Sequence, residues 1–281
     1  MYYITSILKV SIGTGFMIAL IMLLSSVINK RYSAKWKCWL WVIITIRLIL
    51  PIDIDIISSF IAIDTTVIKA NNIDYSIKDN IYNNIQNTIY TYEGSINKNE
   101  NKSNNNYINI VKSMWIVGAI LTALYHILGY IMFKKQVLRW SIPINNINII
   151  EEYNRNCSDY RIKRNIKLLL SDKIASPMML GIIDPILLFP HECYSKSDIQ
   201  YIINHELIHY KRHHLLFKFS VLIATTLHWF NPLVHILRRE VNKDIEFCCD
   251  DEVIKGKSFE DRKAYGSAII DSIVFQKKYR T

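Results

Sequence analysis

Cysteine is scarce in this chain: five residues in 281, at positions 38, 157, 193, 248 and 249. No CxxC pair occurs, and no cysteine falls between 53 and 112. A disulfide framework is thereby excluded, and the cysteines read as small buried hydrophobes in a reducing compartment. Charge is missing from two long stretches. Val10–Ile28 runs 19 residues and Ser113–Phe133 runs 21 residues without Asp, Glu, Lys or Arg. Both have the length of a bilayer crossing. No small-residue cleavage site follows the first, which argues against a signal peptide. Arginine is absent from residues 53–112, where five Lys face seven acidic residues.

What is present fits those gaps. Hydrophobic residues make up 51% of the chain, and mean hydropathy is positive. The formal charge of +10 is uneven, with 23 basic against 17 acidic residues over 134–281. Such a split reads as membrane topology rather than as a nucleic-acid surface. Lys30, Arg31, Lys35 and Lys37 follow the first span, with Trp36, Trp39 and Trp41 among and beyond them. They place that loop in the cytoplasm and the N-terminus outside. A second apolar run, Trp36–Ile52, carries Arg47 near its far end, where the side chain can snorkel. Lys134, Lys135 and Arg139 follow the third span and bring the chain back inside. The expected organisation is two transmembrane helices over 1–52, an Asn-rich extracellular loop over 53–112, a third transmembrane helix over 113–133 and a cytoplasmic domain over 134–281. Thirteen of the 39 residues from Asn71 to Asn109 are Asn. That composition predicts weak order.

The inner segment is long enough for its own core. Ile166–Pro190 reads as short strands, broken by Ser176-Pro177, Gly181 and Asp184-Pro185. Proline there points to edge strands or hairpin turns. Ser195, three residues before Asp198, predicts a helix start. Leu215–Phe230 is apolar but short for a span and contains Lys218, so it is expected to lie against or dip into the membrane, with a fourth full span as the alternative. Asn231-Pro232 stops it. A last helix starts near Leu233, with apolar residues at 234, 237, 241, 245, 248 and 253.

The helix expected after Ser195 carries His205-Glu206-Leu207-Ile208-His209. HExxH stacks two imidazoles on one helix face, spaced to reach one Zn²⁺ at about 2.0–2.1 Å. The intervening glutamate can take a proton from a water there. A catalytic zinc needs a third protein ligand and an open position. In "EVNKDIEFCCDDEVI", Glu246 and Asp250 stand four apart and share a face. Glu246 suits the third ligand, with Asp244 as its rival. Asp250 suits the partner of a ligand imidazole's free N–H. Cys248 and Cys249 read as core packing, and His213 and His214 as a wet helix end. His126, inside the third span, is left open. His228 and His235 are both candidates to stabilise an oxyanion.

"HELIHYKR", "HWFNPLVH", "DIEFCCDDEV", "RLILP" and "SPMMLGIIDPILLFP" together resemble the membrane metallopeptidases of the BlaR1/MecR1 type, peptidase family M56. Their order and spacing agree over nearly the whole chain outside the Asn-rich loop. The resemblance implies a mainly α integral membrane protein with an α+β, gluzincin-like zinc peptidase domain, built from a small sheet and the HExxH helix. It implies His205, His209 and Glu246 as zinc ligands and Glu206 as catalytic base. It further implies a plasma-membrane signalling protease that cuts a cytoplasmic repressor protein and itself. The alternative is a non-catalytic receptor or scaffold with a structural zinc or none. Substrate is expected to lie along the strand Met178, Met179, Leu180, Gly181. The other expected partner is the lipid bilayer. A homodimer is allowed, and no direct nucleic-acid contact is expected. Two departures stand out. Members often carry an acidic residue five positions after the second histidine, where this chain has His214. The antibiotic-receptor members also carry an extracellular penicillin-binding sensor after the peptidase; no SxxK follows it here, so the expectation is a truncation or a signal that enters elsewhere.

Overall fold

The computed structural model describes residues 2–31, 34–50 and 78–278, with side chains described over 7–24, 35–50, 107 and 109–270. It is mostly helical, with one small mixed sheet. Two compact units emerge: Val10–Leu50 with Ala119–Thr281, and Met1–Lys9 with Pro51–Gly118. The larger unit holds the HExxH segment.

Helix α1 spans Tyr2–Arg31, α2 spans Ala34–Ile49 and α3 spans Lys78–Arg139. Among the described residues, two helical segments are long and apolar enough to cross a membrane: Ile7–Leu24 in α1 and Asn109–Arg139 in α3. No side chain from 113 to 133 is buried, and most are large and apolar. Helix α2 has 16 residues, about 24 Å at 1.5 Å per residue, and residues 51–52 at the end of the expected second span lie outside the described residues. It buries Trp41, Ile44 and Leu48 and exposes Trp36, Trp39, Ile43 and Ile46. In the Asn-rich tract, residues 51–77 lie outside the described residues. From Lys78 onward the backbone is helix rather than weakly ordered loop. Asn is only a moderate helix breaker, and extending an existing helix costs far less than nucleating one.

The sheet comprises β1 (Ile142–Pro143), β2 (Lys167–Leu170), β3 (Met178–Leu180) and β4 (Ile186–Phe189), in the order β1-β2-β4-β3. Strand β4 pairs parallel with β2 and antiparallel with β3, Met179 standing opposite Leu187. Every residue of β4 is buried, as its unbroken apolar run requires of a central strand covered on both faces. Leu187 and Phe189 pack with Met179 against α4 (Ile147–Asp159) and α5 (Lys196–Lys211). Ile186 and Leu188 pack on the opposite face with Leu180 and Val137. Strand β3 is therefore an edge. Gly181 ends it at φ +92, and a Cβ there would collide with the Asp184 carbonyl oxygen. Only glycine fits that turn without strain.

Helix α5 begins at the expected cap: the Ser195 hydroxyl accepts the Asp198 N–H at 3.1 Å. Ile199, Ile203 and Leu207 face the sheet. Tyr201 and Ile208 face Cys249 and Val253 of α7 (Pro232–Val253) and Tyr265 and Ala268 of α8 (Phe259–Lys278). Helix α6 covers His214–Leu227, an apolar helix of 14 residues. Asn231 caps α7 through the Leu233 N–H and donates its amide to Ser11 of α1. The predicted apolar stripe of α7 is buried at all six positions. One part of it joins Ile18, Trp41, Ile44 and Leu48 in a single core. Residues of α1 and α2 thus pack directly on the metal-motif domain.

Candidate metal centre

Helices α5 and α7 bring three donor atoms together. His205 Nε2 and His209 Nε2 lie 3.1 Å apart. Glu246 Oε2 lies 3.2 Å from His209 Nε2 and 3.4 Å from His205 Nε2. His209 is buried and His205 half-buried because the α5 face between the sheet and α7 carries them inward. Glu206 is half-buried on the same turn and lines the cleft beside them. The backbone N–H of Met179 on β3 faces its carboxylate. A cavity of about 310 Å³ opens on His205, Glu206 and Glu246, walled by Ser176, Pro177, Tyr201, Ile202, Ala268 and Ile269.

Charge is strongly organised here. Burial raises the Glu206 carboxyl above its usual value, against the pull of both imidazoles. Burial also acts to raise Glu246, but hydrogen bonding with His205 and His209 and the charge of the Lys218 ammonium outweigh it and hold the carboxyl well below the usual range. His205 is pulled down by burial, yet its hydrogen bonds to Asp250 and Glu246 raise it to about 10.

Each donor is backed by a further group. Asp250 Oδ1 lies 3.4 Å from His205 Nδ1. Tyr265 Oη stands between them, 3.0 Å from His205 Nδ1 and donating to Asp250 Oδ1 at 2.6 Å. Lys218 Nζ holds Glu246 Oε1 at 3.0 Å, leaving Oε2 to face the imidazoles. His214 Nδ1 lies 3.1 Å from His209 Nδ1 and 3.3 Å from Cys249 Sγ. Burial and the neighbouring His209 pull the His214 imidazole down to about 3, so it is neutral. Tyr265, Lys218 and His214 have no signature in local spacing. Lys218 alone left a trace, as a cation inside an otherwise apolar run.

Other candidates fall elsewhere. Asp244, the rival ligand, accepts the Trp41 Nε1–H at 2.7 Å and pairs with Lys37 at 3.6 Å, pinned to α2 on another face of α7. Cys248 meets Cys38 of α2, Sγ to Sγ at 2.8 Å. Cys249 is nearer the centre: its sulfur and the nitrogens of His205 and His209 all lie within 4.8 Å. His228 binds the Leu48 carbonyl and His235 the Trp229 carbonyl; neither lines the cleft. His213 is exposed at φ 54, in the turn between α5 and α6. Met178, Met179 and Leu180 form the sheet edge, Gly181 sits in the following turn, and the cleft wall is made by Ser176 and Pro177 just before them.

Two imidazoles one helical turn apart, a carboxylate from a second helix and a glutamate between the imidazoles make a donor set of the kind that can hold a metal ion. The sequence profile of the family described as BlaR1 peptidase M56 matches residues 5–281, and the chain belongs to that family. Its relatives include the regulatory protein BlaR1 of Bacillus licheniformis, 28% identical over 56% of this chain and 26% of that protein. The methicillin resistance mecR1 protein of Staphylococcus aureus is 24% identical over 69% of this chain and 33% of its own length. BlaR1 of Staphylococcus aureus is 29% identical over 59% of this chain and 28% of its length. The chain thus matches about a third or less of each of these relatives.

Proposed function

We propose that this chain is a zinc metalloendopeptidase of a membrane signalling system. His205, His209 and Glu246 hold the metal, and Glu206 is the general base. The observation that carries this reading is the donor triangle, with edges of 3.1, 3.2 and 3.4 Å. Tetrahedral ligands at about 2.0–2.1 Å from zinc stand about 3.3 Å apart. The triangle fits that spacing and opens on the cleft. Zinc in such a site supplies Lewis acidity to a water and to the scissile carbonyl.

The protein's own groups do the rest. Glu206 takes the water's proton during attack and returns it to the leaving amine. Its raised carboxyl suits both directions of transfer. The Met179 N–H orients it. Asp250 and Tyr265 fix His205 with its proton on Nδ1, so that Nε2 faces the metal. The outer edge of β3 offers an extended segment backbone hydrogen bonds, with Met178 to Leu180 as the pairing register. Gly181 ends that register by turning the chain away.

The substrate in this reading is a cytoplasmic protein, a transcriptional repressor, with self-cleavage as a second event. It rests on the regulatory and resistance names of the relatives. The peptidase domain lies in the cytoplasm and the N-terminus outside, following the basic residues after each long apolar stretch. Helix α6 lies at the inner leaflet, with Leu216 and Phe219 exposed. Glu206→Gln tests the chemistry: zinc stays bound and cleavage of a co-expressed repressor or of the chain itself stops. A Glu206→Gln protein that still cleaves sinks the mechanism. A wild type that cleaves nothing while the variant signals normally favours a non-catalytic scaffold.

A further inference from the structure

The two imidazoles of the donor triangle are supported in different ways. His205 has a carboxylate and a phenol behind it. Behind His209 the structure places a third imidazole, His214, with the two Nδ1 atoms 3.1 Å apart. Both rings are buried, at 5% and 7% exposure, and meet edge to face at 77°. The position is fixed by the backbone: His213 takes a left-handed φ of 54 between α5 and α6, and this turns the first residue of α6 back toward the α5 helix that carries His209.

We propose that His214 is a positioning residue that holds His209 with its proton on Nδ1 and its Nε2 lone pair toward the metal. The inference rests on the metal reading of His205, His209 and Glu246. Two facing ring nitrogens 3.1 Å apart must share one proton, since two lone pairs or two N–H groups would repel. With His209 Nε2 committed to the donor triangle, that proton belongs to His209 Nδ1. His214 Nδ1 then accepts it, and the His214 ring carries its own proton on Nε2. The Cys249 thiol, 3.3 Å away, competes for the same lone pair. It acts as a weak second donor and closes the pocket against water. Partners of this kind raise a ligand's affinity for its metal by orienting the ring before binding. Here a neutral acceptor serves, so it adds no negative charge to the site.

The test uses the full chain purified in detergent, with zinc as the probe, and compares wild type with His214→Leu and His214→Asn. Leucine keeps bulk at the ring's position but removes the acceptor. Asparagine puts an acceptor oxygen where Nδ1 stood. Zinc dissociation constants are read by competition with a chromophoric chelator, and cobalt substitution reports ligand geometry by its visible spectrum. The leucine variant should bind zinc about 10–100-fold more weakly. The asparagine variant should stay within about threefold of wild type and keep its cobalt spectrum. Equal zinc affinity in the leucine variant, or equal loss in both, overturns the positioning role and leaves the metal reading standing. A wild type that binds no zinc overturns both. Should the leucine variant not fold, histidine-selective ¹⁵N spectra of the metal-free wild type decide: a His209 proton held on Nδ1 before zinc is added supports the role, and one on Nε2 overturns it.

Discussion

Zinc binding should depend on pH in a way set by His205. In the metal-free protein its imidazole is raised to about 10, through hydrogen bonds to Asp250 and Glu246 that outweigh burial. At pH 8 roughly one chain in a hundred then has this ring neutral. Zinc must displace the proton, so loading at pH 8 carries a penalty of about 100-fold, or roughly 3 kcal/mol. Apparent affinity should rise about tenfold per pH unit between about 7 and 9, with about one proton released per zinc. Titration calorimetry in two buffers of different ionisation enthalpy reads both quantities. Asp250→Asn removes one raising partner and should shift the sloping region toward neutral pH, whatever it does to absolute affinity. A flat affinity between pH 7 and 9, or a slope untouched by Asp250→Asn, refutes the reasoning. The same shift bears on folding. A histidine raised in the folded state adds stability that is complete below its unfolded value of about 6.5. That contribution fades as pH rises toward about 10, so the metal-free protein should lose thermal stability across that window.

Other outcomes follow from single contacts. Cleavage should fail on the acid side at a pH above the ordinary carboxylate value of about 4.3, because Glu206 must be ionised to accept a proton and burial raises it; a pH–rate profile with an acid limb below that value contradicts this. Trp41→Phe leaves buried Asp244 without its 2.7 Å donor and should cost about 1–3 kcal/mol, read as a lower unfolding midpoint with zinc affinity nearly intact. Gly181→Ala should cost at least about 1–2 kcal/mol from the positive φ, more from the collision with Asp184; an unchanged midpoint would show that the β3–β4 turn is formed otherwise. Lys218→Met frees Glu246 Oε1 and should weaken zinc binding severalfold, a modest effect because the pair is partly exposed; tighter binding would show that Lys218 opposes the metal.

Local chemistry made much of this legible from the residues alone. Ser195 and Asp198 mark the start of α5, Asn231-Pro232 marks the start of α7, and the apolar stripe of α7 gives its buried face. Helix α4 was hidden because its buried face includes Glu152 and Asn156, which satisfy each other at 2.8 Å and so read as surface. Helix α8 was hidden for a similar reason: its contribution is Tyr265, whose role depends on a carboxylate from another helix. Spacing on α7 favours Glu246 over Asp244, and the packing agrees in placing Glu246 beside both imidazoles while Asp244 pairs with Trp41 and Lys37 of α2. His214 reads from sequence as a solvent-facing helix end; the left-handed turn at His213 folds it inward, where it is buried.

The most direct measurement is zinc X-ray absorption on the purified full-length protein, alongside its metal content. The account predicts one zinc per chain with only nitrogen and oxygen neighbours at about 2.0–2.1 Å, and loss of the metal in Glu246→Ala. A protein that takes up no zinc, or a sulfur shell at about 2.3 Å that puts Cys249 in place of Glu246, would contradict it.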